Sequence, residues 1–339
     1  MRAHVCSLVA AMVAFATISH AEPAAPPITL TVTPGTAGGP WKITVANGGE
    51  MPMRLSADAR LITLVLEPQT PSKTIKTQEC TLPADARPAT DEGRELVVPG
   101  KRSWSATFDP LFYCFSAKER ALLVPGTTVK VRFGFHPGKK PLATGPFVLA
   151  PVGAAVGQLA PVRELEASPV TLSEAITAAA PAEKTEEGSK PPLALTASEA
   201  VDAARGVDIP LTITVANQSD RPVTTFFRTS TLAVRVMGPG GSVSCGSPRS
   251  TPEPFRELFS TIAPKQKSST TLNVDALCPA GTFDDPGVYR IVPRLDTRGT
   301  SGKNVGLKTW DGEVSATAPA VVRVRTSRHI ETPKKPQLD

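Results

Sequence analysis

Ile43-Thr44-Val45-Ala46-Asn47 returns letter for letter as Ile213-Thr214-Val215-Ala216-Asn217, 170 residues later (213 − 43). Each copy alternates apolar and polar residues, so Ile43 and Val45, and likewise Ile213 and Val215, point to one face of a strand. Working outward, the run Leu61–Pro68 (LITLVLEP) pairs in pattern with Leu232–Pro239 (LAVRVMGP). Arg94-Glu95-Leu96 with Pro99 pairs with Arg256-Glu257-Leu258 with Pro264, and Pro125-Gly126 pairs with Pro286-Gly287. The cysteines keep step as well: Cys80 to Cys114 spans 34 residues and Cys245 to Cys278 spans 33. One unit is written twice.

Period-two alternation dominates both copies. Trp41, Ile43 and Val45 are expected to face inward, as are Leu211, Ile213 and Val215. Trp104, Ala106 and Phe108 alternate with Ser103, Ser105 and Thr107; Val129, Val131, Phe133 and Phe135 alternate with Lys130, Arg132 and Gly134; Val322 and Val324 alternate with Arg323 and Arg325. The 339 residues hold 35 Pro and 25 Gly. An interior proline costs a helix about 3 kcal/mol, so many short strands are favoured over long helices. About seven strands per unit are expected, which makes the fold class all-β: two tandem immunoglobulin-like antiparallel β-sandwich domains. The boundaries follow composition: a signal peptide over 1–21, a first sandwich over 22–174, an Ala/Glu/Lys/Pro-rich linker over 175–192, a second sandwich over 193–328 and a polar tail over 329–339. The linker is expected to act as a semi-stiff spacer, with a short helix over 171–180 as the exception.

The order of an apolar strand ending in Asn, a polar turn, further strands and a Pro-Gly before a Val/Tyr strand resembles bacterial extracytoplasmic immunoglobulin-like modules. Asn217-Gln218-Ser219-Asp220-Arg221-Pro222-Val223 and Pro286-Gly287-Val288-Tyr289-Arg290 carry the resemblance. Similar patterns occur in bacterial adhesion-related sandwich domains and in a bacterial intracellular proteinase inhibitor family. The signal segment and paired cysteines depart from the latter, so an inhibitory role is not carried over.

The amino terminus supplies an address. Met1-Arg2-Ala3-His4 is basic, Val5–Ile18 is apolar but shorter than the roughly 20 residues that span a bilayer, and Ser19-His20-Ala21 suits signal peptidase. Export to the periplasm or cell exterior is expected, with no integral membrane segment after cleavage. In that compartment Cys80, Cys114, Cys245 and Cys278 are expected to oxidise, and one bond per repeat is the simplest of three connectivities. No close Cys/His spacing suits zinc, and no cofactor is expected.

Catalytic groups are scarce. After cleavage only His136 and His329 remain, and His136 sits in a strand-to-turn stretch. Gly134–Lys140 (GFHPGKK) is one residue too short for a phosphate-binding loop and lacks the following Ser/Thr. Asp284-Asp285 reads as an acidic turn rather than a calcium loop. Asn217-Gln218-Ser219 fits the glycosylation pattern, but a turn asparagine explains it together with Asn47. The net charge of +6 comes from scattered Lys and Arg with few aromatics, so nucleic acid is not an expected partner. Arg290, Arg294, Arg323 and Arg325 lie on two strands expected to be neighbours; a solvated face is the first reading and an anion-binding face the second. The expected function is a non-catalytic exported module of the cell envelope that binds another envelope protein or a glycan. Alternatives are a periplasmic assembly chaperone of the fimbrial type and, less favoured, a hydrolase.

Overall fold

The computed structural model describes residues 23–35, 39–72, 75–88, 94–135, 146–177, 191–204, 208–246 and 254–325. The signal segment over 1–21, most of the linker, His136, His329 and the tail over 329–339 lie outside the described residues.

The first unit orders one sheet as β1 (Ile28–Thr33), β2 (Trp41–Asn47) and β7 (Ser103–Phe108). A short sheet of β6 (Glu95–Val98), β3 (Met53–Ser56) and β9 (Leu149–Pro151) stands beside it in the chain. The larger sheet orders β10 (Glu164–Glu166), β8 (Thr128–Gly134), β4 (Ile62–Glu67) and β5 (Gln78–Cys80), and β11 (Val170–Thr171) also pairs with β8. Trp41, Ile43 and Val45 from one sheet share a core with Leu64, Leu66 and Val131 from another. Alternation decides this: the even members of β2, Lys42 and Thr44, stay outside the core.

The second unit repeats the plan. One sheet orders β12 (Leu193–Ala197), β14 (Pro210–Asn217) and β19 (Lys267–Asn273). The other orders β13 (Ala200–Ala204), β22 (Ala320–Arg325), β20 (Gly287–Asp296), β16 (Leu232–Gly238) and β17 (Gly241–Cys245), with β21 (Glu313–Ser315) also on β20. A two-stranded pair, β15 (Val223–Thr225) and β18 (Ser260–Ile262), completes it. The all-β sandwich expectation holds, with more and shorter strands than seven per unit, because β8 and β20 each take two short partners in succession. One departure is the parallel pairing of β13 with β22. The expected helix over 171–180 is absent from its described part, where Val170 and Thr171 pair with Val129 and Thr128 instead.

Among the described residues the α-helices are single turns: α1 (Pro110–Tyr113), α2 (Ala117–Arg120) and α3 (Val274–Leu277). α1 and α3 each end one residue before a cysteine. Disulfides join Cys80 to Cys114 and Cys245 to Cys278, with Cα–Cα distances of 4.8 and 4.6 Å. Each ties the edge strand of the larger sheet to the crossover leaving the smaller one. In the chain-entropy model a loop of this length is worth about 3–4 kcal/mol.

The register aligns the copies residue by residue. Leu64 opposes Cys80 and Val131; Val234 opposes Cys245 and Pro293. Ile62 therefore corresponds to Leu232, which puts the run beginning at Leu61 one residue out of step with its sequence pairing. Arg94-Glu95-Leu96 enters strand β6, whereas Arg256-Glu257-Leu258 forms a 3-10 turn before β18. Gly126 takes a positive φ of 87° and Gly287 does not, so those Pro-Gly pairs are also displaced. Local likeness misled here because turn residues recur wherever turns occur.

The repeated asparagine holds the tightest shared detail. Asn47 Nδ2 donates to the carbonyls of Met51 (2.8 Å) and Val98 (3.1 Å), while Oδ1 accepts from the Gly49 N–H. Asn217 Nδ2 donates to Arg221 (2.7 Å) and Ile262 (2.9 Å), and Oδ1 accepts from the Ser219 N–H. Both asparagines are buried, so the Asn217 amide is committed to the turn and not presented for glycosylation. Beside each, a lysine occupies the left-handed region: Lys101 at φ 58° and Lys265 at φ 61°. Each lysine ammonium donates back to a carbonyl of the asparagine turn, Gly48 or Gln218.

Candidate functional site

Three places bring together residues that could carry chemistry: the arginine face, the loops holding Asp284 and Asp285, and the exposed apolar edge.

The arginine face forms. Val288 opposes Arg323 and Arg290 opposes Val321 across β20 and β22, so Arg290, Arg294, Arg323 and Arg325 share the sheet face turned away from the second unit's core. The solvated reading fits Arg294 alone, whose side chain is exposed; the first unit packs against the rest of that face. Val288 and Val321 are buried in the core cluster of the first unit, not the second. Arg323, only 6% exposed, makes a bidentate contact with Asp202. It also donates to the Phe112 carbonyl at 3.1 Å, and its guanidinium lies 4.5 Å above the Phe115 ring. Arg325 bridges Asp202 (2.9 Å) and Asp85 of the first unit. Arg290 reaches Asp109 at 3.5 Å. Arg294 stays on its own unit, with Glu313 at 3.1 Å. The anions for these arginines are the chain's own carboxylates.

Local structure explains the partners. Asp109 caps α1 with one oxygen, accepting from the Leu111 N–H at 2.9 Å, and leaves the other for Arg290. Burial pushes its carboxyl above the usual range, with Arg290 opposing that shift. Asp202 is aligned with Arg323 by the parallel register of β13. Burial would raise its carboxyl, but hydrogen bonds and charge from Arg323 and Arg325 carry it below the ordinary range. Arg120 of α2 adds a longer contact to Glu199, 3.8 Å.

Asp284 and Asp285 lie in the turn before β20, and the Asp285 carbonyl accepts from the Tyr289 hydroxyl at 2.6 Å. A shallow groove of about 240 Å³ beside it is lined by Gly238, Gly241, Ser242, Thr282, Asp285 and Tyr289. The tyrosine hydroxyl there is spent on a backbone carbonyl and is pushed up to about 12 by burial, then by the neighbouring aspartates. Among the described residues no group of three or more His, Cys, Asp or Glu could hold a metal ion.

The third place is the edge of β6. Its inner side pairs with β3, and no described strand pairs with its outer side. Leu96 and Val97 are 42% and 51% exposed, and exposed apolar side chains on an unpaired edge make it a template for pairing with another chain. The corresponding β18 of the second unit is Ser260-Thr261-Ile262, polar where β6 is apolar. Sequence reasoning missed this edge: Arg94-Glu95-Leu96 served there only as a landmark of the repeat, and a short apolar run does not show which side of a strand is left unpaired.

No helix among the described residues is long and apolar enough to cross a membrane. No family model and no curated protein matches the chain. Among solved structures the chain is similar to red sea bream transglutaminase, at 11% identity and a TM-score of 0.21. The match covers 88% of this chain and 31% of that one, so the chain spans about a third of the enzyme's length. At that score the likeness carries no argument.

Proposed function

We propose that this protein is an exported, non-catalytic tandem immunoglobulin-like module of the cell envelope that binds another envelope protein through the β6 edge of its first unit. The observation that carries the reading is that no described strand pairs with the outer edge of β6, where Leu96 and Val97 are both exposed. An open edge offers main-chain donors and acceptors in the spacing of a strand, which an extended peptide matches and a glycan does not. The apolar side chains beside it supply contact area. The two disulfides suit an oxidising compartment, in keeping with the amino-terminal signal pattern.

The fimbrial-type chaperone reading is less well supported. It calls for a basic anchor open to a ligand between the domains, and Arg290, Arg323 and Arg325 are engaged there by Asp109, Asp202 and Asp85. The test is capture from the envelope fraction by the mature protein beside its Leu96→Lys/Val97→Lys variant, followed by hydrogen exchange on the captured complex. A protein held by the parent and lost from the variant, with slowed exchange over Glu95–Val98, is the expected result. Equal capture by both forms, or no capture, overturns it.

A further inference from the structure

We infer that the two units are latched into one rigid body by parts that the duplication does not share. Two length differences locate those parts. From Leu195 to Val215, partners across β12 and β14, the chain runs 20 residues; the matching partners Leu30 and Val45 are 15 apart. The five additional residues correspond to β13, itself five residues long, which carries Asp202. The first unit is the longer one elsewhere: Cys114 to Val131 is 17 residues, against 15 from Cys278 to Pro293. That stretch holds Phe115 and α2.

Both additions meet at Arg323. Its guanidinium is held by Asp202 from β13 and covered by Phe115 beside α2. Around it the contact alternates apolar and charged: Val288 and Val321 enter the first unit's core, flanked by the ion pairs of Arg290 and Arg325. The matching positions elsewhere lack these groups. By register, Arg290 and Val321 correspond to Thr128 and Thr171, and Asp109 corresponds to Asn273. The contact is head-to-face and specified once, so it joins the two units without offering the same join to a further unit.

The valines make the latch testable without unfolding either half. Val288 and Val321 point away from the second unit's core, so lysines there would be solvated in a detached unit and incompatible with docking. The experiment compares the full mature chain with Val288→Lys/Val321→Lys by small-angle scattering, hydrogen exchange and circular dichroism. The parent is expected to scatter as one compact particle with slow exchange over Phe115–Leu123. The variant is expected to show a larger radius of gyration and at least tenfold faster exchange there, with strand content and both disulfides intact. A second variant, Asp85→Arg, sets like charge against Arg325 from the first unit and should give a shift in the same direction. Unchanged scattering and exchange in both variants overturns the latch. So does loss of the second unit's fold in the valine variant, which would assign those side chains to its own core, or a parent whose units already tumble independently.

Discussion

The two units share their interiors and differ at their margins, and the difference falls where they touch. β2 and β14 bury the same Ile, Val and Asn, and the hydroxyl pairs Thr44–Ser105 and Thr214–Ser269 repeat at 3.0 and 2.8 Å. Even replaced residues keep their geometric role. Buried Asp58 meets Arg94 at 3.5 Å in the first unit. At the matching places of the second, Arg228 donates to the Leu258 carbonyl at 3.1 Å, so the bridge persists with its polarity reversed. Core positions are constrained from every side, whereas margins accept added residues at little energetic cost. Duplication therefore preserved the sandwich and left the edges free to diverge, one into a docking face and another into an open apolar strand.

The largest test of equivalence is the disulfide. Cys80→Ser and Cys245→Ser are each expected to lower stability by about 3–4 kcal/mol, because the closed loops are nearly equal in length. Denaturant unfolding of the two variants would break the comparison if one loss were several times the other. Next are the asparagine turns. Asn47→Ala and Asn217→Ala leave buried carbonyls without a donor and are expected to cost about 2–3 kcal/mol each by the same measurement.

A smaller effect separates the units by pH. Asp202 has a lowered folded pKa, so its contribution is present above the ordinary 3.8 and is lost as pH falls through the lowered folded value. Asp109 has a raised one, so its contribution is full below 3.8 and is lost as pH rises through the raised value. Stability-versus-pH curves of Asp202→Asn and Asp109→Asn should deviate from the parent in opposite senses. At neutral pH Asp109→Asn, which installs the second unit's own residue, should be the milder of the two. Smallest of all, Thr44→Val and Thr214→Val remove exposed hydroxyl pairs and should each stay within about 0.5 kcal/mol.

Much of the fold was legible because alternation and burial are the same fact seen twice. Trp41, Ile43 and Val45 are buried for the reason their spacing announced. The cysteine pairing followed from the repeat. The arginine face was legible only as an arrangement: its four members do share one side of a sheet, but what covers that side depends on Phe112 and Phe115, some two hundred residues earlier in the chain. A signal was nevertheless present in the unequal distances between matched residues, since an addition to one copy alone marks a place where that copy does something its twin does not.

By itself the sequence determined two disulfide-bearing β units with the same core, because a period of two and a repeated Asn turn are local properties of a chain. The tertiary structure alone decided that Arg323 is buried and paired, that the units meet head to face, and that Leu96 and Val97 lie on an edge with which no described strand pairs. Those outcomes depend on which surfaces cover one another, and coverage is a relation between distant segments that no local pattern encodes.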